Sequence, residues 1–318
     1  MRTPRPVPDE LSVGPFHRHR ALELGVSSRM LQHPRFVQIF PSVYRLETTD
    51  MTPRDWVRAA ELTLPDDAKV SHLTRFVGLG LQYGDLFPLH FTIGRDHHLP
   101  ALQDIFLHRT VRMPRHSEHG VSIVAAFIGA ASLLRLIDAV KIGDWLLHRG
   151  HLTLERLIRV VELEHWRPGT ETAKRAMLLF DRDSRSLQES EVRCLMVAAG
   201  LPCPESNVDL YDENGTFLGC GDLVYRWLRL VIEYEGRHHA LDTAQFQRDI
   251  HRYARLRHDD IGYVQVTSAM TRSPHTLVHT IHRAMVERGY EGPPPRFGIA
   301  WQRLFAEPLP WRHLHRPA

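Results

Sequence analysis

The chain has 318 residues, 43% of them hydrophobic, a formal net charge of +3 and three cysteines, Cys194, Cys203 and Cys220, with no CxxC pair. That length suits one large domain or two modest ones with a sizeable core. The sparse cysteines exclude a disulfide framework or a Cys-rich zinc site and fit a reducing, cytoplasmic setting. No apolar run is long enough to span a bilayer, and the proline-rich polar start MRTPRPVPDELSVGPF lacks a secretory-signal pattern, so no membrane partner is expected. Lysine occurs only at Lys69, Lys141 and Lys174, so the basic residues are nearly all arginine. Arginine is the better residue for bidentate phosphate contacts, but here it is scattered along the whole chain, and the charge permits nucleic-acid binding without demanding it.

In chain order, residues 1 to 15 read as a mobile tail. Residues 17 to 24 then suit a short helix stopped by Gly25, and Ser27 or Ser28 can cap a second one with Met30 and Leu31 facing inward. FVQIF and SVYRL alternate around Pro41-Ser42 as a small hairpin. Helix, turn, helix, hairpin over 16–50 is the outline of a winged helix. A mixed, mostly helical middle region follows over 51–183. TPRDWVRAAELTL is a helix started by Thr52 and Pro53, VSHLTRFVGLGL continues in helical spacing, and LHFTIG and IFLHRTVRM look like strands. Later segments to Phe180 are helical, with Thr153 as a cap. This region shows no catalytic constellation; Asp96, His97 and His98 read as solvated loop residues.

From Ser184 the pattern changes. SLQESEVRCLMVAAGLP is an amphipathic helix closing at Gly200; ESNVDLYD and TFLGCGDLVY are strands joined through Asn214-Gly215; RLVIEYEG is a third strand, rich in β-branched residues. DTAQFQRDIHRYARLRHDD, capped by Asp242 or Thr243, is a second helix. GYVQVTSAM is a fourth strand and SPHTLVHTIHRAMVERG a final helix, before a tail over 291–318.

The acids in GDLVYRWLRLVIEYEGRHHA carry the chemistry. Glu233 and Glu235 are two apart and share one face of a strand, with Tyr234 on the other. Counted outward from a turn near Trp227-Leu228, Asp222 and Glu233 are nearly equidistant, so three carboxylates are expected to converge. Bare carboxylates that close repel one another. A divalent cation with oxygen preference, Mg²⁺ or Mn²⁺, removes the conflict and can polarise a phosphodiester. The alternative is that the acids mark strand ends in solvent. A zinc enzyme using the histidines lacks the usual ligand spacing.

Asp222, Glu233-Tyr234-Glu235-Gly236-Arg237-His238-His239, Gln247-Arg248-Asp249 on a helix and GYVQVT on a strand resemble the PD-(D/E)XK nuclease superfamily, in its branch related to very-short-patch repair endonucleases. The resemblance covers about 184–290. It implies a restriction-endonuclease-like α/β domain with a central mixed sheet flanked by helices. It also implies Asp222 and Glu233 as metal-binding acids, with Glu189 in the first helix completing the site. The superfamily's lysine position holds Glu235, which leaves the general base unassigned. His238 and His239 are candidates, Gln247 can orient water, and Arg237 and Arg248 are candidates for backbone phosphates, with Arg248 equally able to pair with Glu235 or Asp249. Cys220 reads as core rather than nucleophile. RALELGVSSRMLQHPRFVQIFPSVYRL resembles the N-terminal winged helix of AbiEi-type antitoxins. That implies DNA binding, with Arg29 and Arg35 as phosphate contacts; Arg18 and Arg20 fit a solvated role as well.

The expected fold class is therefore α+β, with a winged helix, a mostly helical middle and a nuclease-like C-terminal domain. The expected function is metal-dependent hydrolysis of DNA phosphodiesters. The alternative is an antitoxin-like transcriptional regulator with a catalytically silent nuclease fold. DNA is the expected partner, with a cognate toxin or a repair protein as a second.

Overall fold

The computed structural model describes residues 7–94, 102–235, 255–256 and 258–308. It is a mixed α+β protein that divides into two compact units between Ala130 and Ala131. The boundary falls inside the stretch read from sequence as one middle region. Among the described residues no helix is long and apolar enough to cross a membrane.

In the first unit, β1 (Phe16–His17), β2 (Phe36–Phe40) and β3 (Val43–Leu46) form an antiparallel sheet in the order β1-β3-β2. The helix α1 (Arg18–Glu23) stops where Gly25 takes a φ of 78°, a conformation that suits glycine. The expected second helix is only a 3-10 turn, Met30–Gln32, with the Ser27 hydroxyl accepting the Met30 N–H at 3.3 Å. Leu11, expected in a mobile tail, is instead buried against Phe16, Ala21 and Leu31.

A capping box between Thr52 and Asp55, with Pro53 in the first turn, starts α2 (Pro53–Thr63). Next come β4 (Lys69–Val70), the short α3 (His72–Val77), β5 (Leu89–Ile93) and β6 (Ile105–Arg109). β5 pairs antiparallel with β4 and parallel with β6. The small hairpin β7 (His116–Ser117) and β8 (Gly120–Val121) precedes α4 (Ile123–Ala131).

The second unit begins with α5 (Leu136–His148), α6 (Leu154–Leu163), α7 (Thr170–Met177) and α8 (Leu187–Ala198). Its sheet contains β9 (Glu205–Tyr211), β10 (Phe217–Tyr225), β11 (Leu230–Glu235) and β12 (Gly262–Thr267), in the order β12-β11-β10-β9. The first three strands run antiparallel in succession, and β11 pairs parallel with β12. Parallel neighbours need a long crossover connection. Most of the helix expected there lies outside the described residues, but Arg255, Leu256 and His258 at its end are helical and Leu256 is buried. After β12 come α9 (Ser268–Thr271), α10 (Pro274–Glu287) and α11 (Ile299–Phe305). The last packs on α5 and α8 through buried Trp301 and Leu304, so this part of the expected tail belongs to the body.

Candidate functional site

The site is built from the rungs of the second unit's sheet. β10 and β11 pair through Tyr225↔Leu230, Val224↔Val231 and Leu223↔Ile232, around a 3-10 turn at Arg226–Leu228. One step beyond the last of these rungs, the Asp222 carboxylate accepts the Tyr234 N–H at 3.0 Å. Asp222 thus inserts its side chain between the two strands at the level of Glu233. Glu233 is buried at 7% exposure and receives the Tyr263 hydroxyl at 3.4 Å from β12. In the same ladder Glu233 stands opposite Gln265, and Glu235 opposite Thr267. On the other side of β10, Asn207 falls between the rungs Gly221↔Val208 and Leu223↔Ser206, which places it across from Asp222. Asn207, Asp222, Glu233 and Gln265 therefore form one row across four strands.

Glu189 joins that row through Asn207. It sits in the first turn of α8, where Ser186 caps the helix by accepting the Glu189 N–H at 3.1 Å. Its carboxylate is buried at 7% exposure and accepts the Arg185 N–H at 2.9 Å and the Asn207 amide at 2.6 Å. The same amide donates to the Asp183 carbonyl at 2.7 Å. Asn207 holds a left-handed φ of 51° to do this, a region asparagine enters more readily than most residues.

Hard oxygen donors suit Mg²⁺ or Mn²⁺; among the described residues no group of three His, Cys, Asp or Glu side chains is placed to share one ion. Glu189 accepts the Arg185 N–H and the Asn207 amide, and Asp222 accepts the Tyr234 N–H. Gly236, Arg237, His238, His239, Gln247, Arg248 and Asp249 lie outside the described residues, as do Asp96, His97 and His98.

Beside the row stands Cys220, two residues before Asp222. Partial burial pushes its thiol up, and the nearby Arg185 guanidinium offsets this in part. In the first unit Arg29 is exposed at the start of the Met30–Gln32 turn, whereas Arg35 is half-buried with its guanidinium 5.0 Å over the Phe36 ring. Arg18 donates to the Ser28 hydroxyl at 2.8 Å and Arg20 pairs with Glu23 at 3.1 Å.

Sequence reading passed over a second polar cluster. His72, His90 and His108 come together between α3 and the β5–β6 pair: the His72 and His108 rings stack 3.6 Å apart, and His90 Nδ1 lies 3.0 Å from His108 Nε2. Histidine at one parity on each of two strands was the available signal. Their parallel pairing, which puts the residues on one face, was not visible. Asn207, inside the expected strand ESNVDLYD, was missed because a lone asparagine on a strand carries no spacing signal. Comparison with family models, curated proteins and solved structures returned no match.

Proposed function

We propose that this chain acts on DNA, with a winged helix at its start and a PD-(D/E)XK-type phosphodiesterase in its second unit, Asp222 and Glu233 being the central acids. The observation that carries the reading is the Asp222 carboxylate set between β10 and β11 at the level of Glu233. It occurs in a unit ordered as helix, three antiparallel strands, then a fourth strand parallel to the third. Phosphodiester cleavage is largely a matter of positioning and of compensating charge on the phosphoryl oxygens. The row crosses all four strands and supplies a line of polar groups for positioning. Among the described residues no three His, Cys, Asp or Glu side chains are spaced to share one ion.

That same spacing, together with Glu235 at the superfamily's lysine position, favours a second reading. In it the chain is an antitoxin-like DNA-binding regulator whose nuclease-type fold does not turn over, and whose protein partner would be a cognate toxin. Purified chain incubated with supercoiled plasmid and with single-stranded DNA, in Mg²⁺ or Mn²⁺, separates the two. The phosphodiesterase reading expects cleavage that Asp222→Asn abolishes. Equal cleavage by both proteins would indicate a contaminant. A salt-sensitive gel shift with no cleavage would establish the regulator.

A further inference from the structure

We propose that Arg185 is a phosphate contact of the acid row, holding a DNA backbone phosphate beside Asp222; this rests on the DNA-acting reading above. The main chain is pinned on both sides of Arg185. Asn207 holds the Asp183 carbonyl at 2.7 Å, and Glu189 holds the Arg185 N–H at 2.9 Å. The two clasping side chains are themselves joined at 2.6 Å. The root of the Arg185 side chain is therefore fixed relative to β9. Its head reaches β10, with Nη1 3.6 Å from Cys220 Sγ, two residues from Asp222.

The side chain is exposed, and no carboxylate lies within ion-pair distance of it among the described residues. Asp209, opposite Cys220 on β9, is the acid on that side and makes no ion pair with it. Five other arginines of this unit, Arg135, Arg167, Arg193, Arg226 and Arg288, each face a carboxylate and are committed to it. A guanidinium keeps its charge at any accessible pH and offers a planar fork of donors matched to phosphate. A guanidinium whose main-chain root is fixed loses less freedom on binding than one carried on a mobile segment. Its position also gives the row a cation, which Glu235 does not.

The test is binding of a short fluorescein-labelled DNA duplex, followed by anisotropy across a salt series. Removing one phosphate contact is expected to lower the slope of log K against log salt by about 0.9 in Arg185→Ala, while Arg185→Lys keeps the slope. A second readout uses the native chain. Iodoacetamide labelling of Cys220 should slow when duplex is bound, with exposed Cys203 as the internal reference that does not change. An unchanged slope in Arg185→Ala, or Cys220 labelling indifferent to bound duplex, would overturn the assignment and leave the DNA-acting reading standing. A wild-type chain that binds no duplex would overturn both.

Discussion

The two units bury polar groups in opposite ways. In the first, the His72, His90 and His108 imidazoles pack against one another, and burial favours the neutral form of His72 and His90. Burial pushes His72 down to about 3, with His90 adding to the effect, and pushes His90 down to about 4. In the second, a full ion pair is enclosed: Arg193 Nη2 donates to Asp144 at 2.7 Å, at side-chain exposures of 3% and 0%. Asp144 also accepts the Asp181 N–H at 2.8 Å, Arg193 donates to the Leu179 carbonyl at 2.7 Å, and Ser206 donates to Asp181 at 2.6 Å. Even so, burial pushes the Asp144 carboxyl up to about 6, with Arg193 drawing it back only in part. A neutral ring needs a packing partner, whereas a charge needs a counter-charge and every one of its hydrogen bonds.

The largest expected effect follows from that difference. Arg193→Met strands Asp144 without its cation and should destabilise the second unit by about 3–5 kcal/mol, read from urea unfolding monitored by Trp145 on α5. The double variant Asp144→Leu with Arg193→Met should regain most of the loss, because it removes the buried charge together with its partner. A loss below about 1 kcal/mol in the single variant would mean the pair behaves like a surface contact, and the contrast between the units would fail.

These clusters also show what a sequence can disclose. The β10–β11 hairpin was legible because its alternation and β-branched content are local, and counting from the turn placed Asp222 near Glu233. The direction of the Asp222 side chain was not legible, since it depends on where the ladder gives way and on the Tyr234 N–H taking the carboxylate. Asn207 and Glu189 are 18 residues apart and meet only when the first turn of α8 comes up to β9. The boundary at Ala130-Ala131 lies in an apolar helical stretch without proline or a polar linker, so composition could not mark it. The histidines come from three elements, two of them parallel strands whose pairing no short-range pattern encodes.

Acid sharpens the comparison, because the two units respond with opposite sign. His72 and His90 have folded values below the ordinary 6.5, so their contribution is present above about pH 6.5 and is lost as pH falls through 4 and 3. Between pH 6.5 and 5 this should remove about 2 kcal/mol per ring. Asp144 has a folded value raised from 3.8 to about 6, so its contribution is full below about pH 3.8 and is lost as pH rises through 6. Hydrogen exchange at pH 7 and pH 5 should show protection of β5 and β6 falling while that of α5 and α8 does not fall with it. Equal loss in both units would contradict the neutral-against-charged distinction.

The smallest expected effect probes the neutral cluster itself. The Ser71 hydroxyl lies 2.8 Å from His72 Nδ1, both groups are buried, and His72 holds a φ of 50° at the start of α3. Removing the hydroxyl in Ser71→Ala deprives an uncharged ring of one hydrogen bond, while its stacking on His108 remains. The net value of such a bond is about 1 kcal/mol, because the unfolded chain satisfies the same groups with water. Thermal unfolding of the first unit should register that small loss, well below the loss from stranding Asp144. A Ser71→Ala loss as large as that of Arg193→Met would show that the imidazole cluster carries charge in the folded protein and is not held neutral by burial.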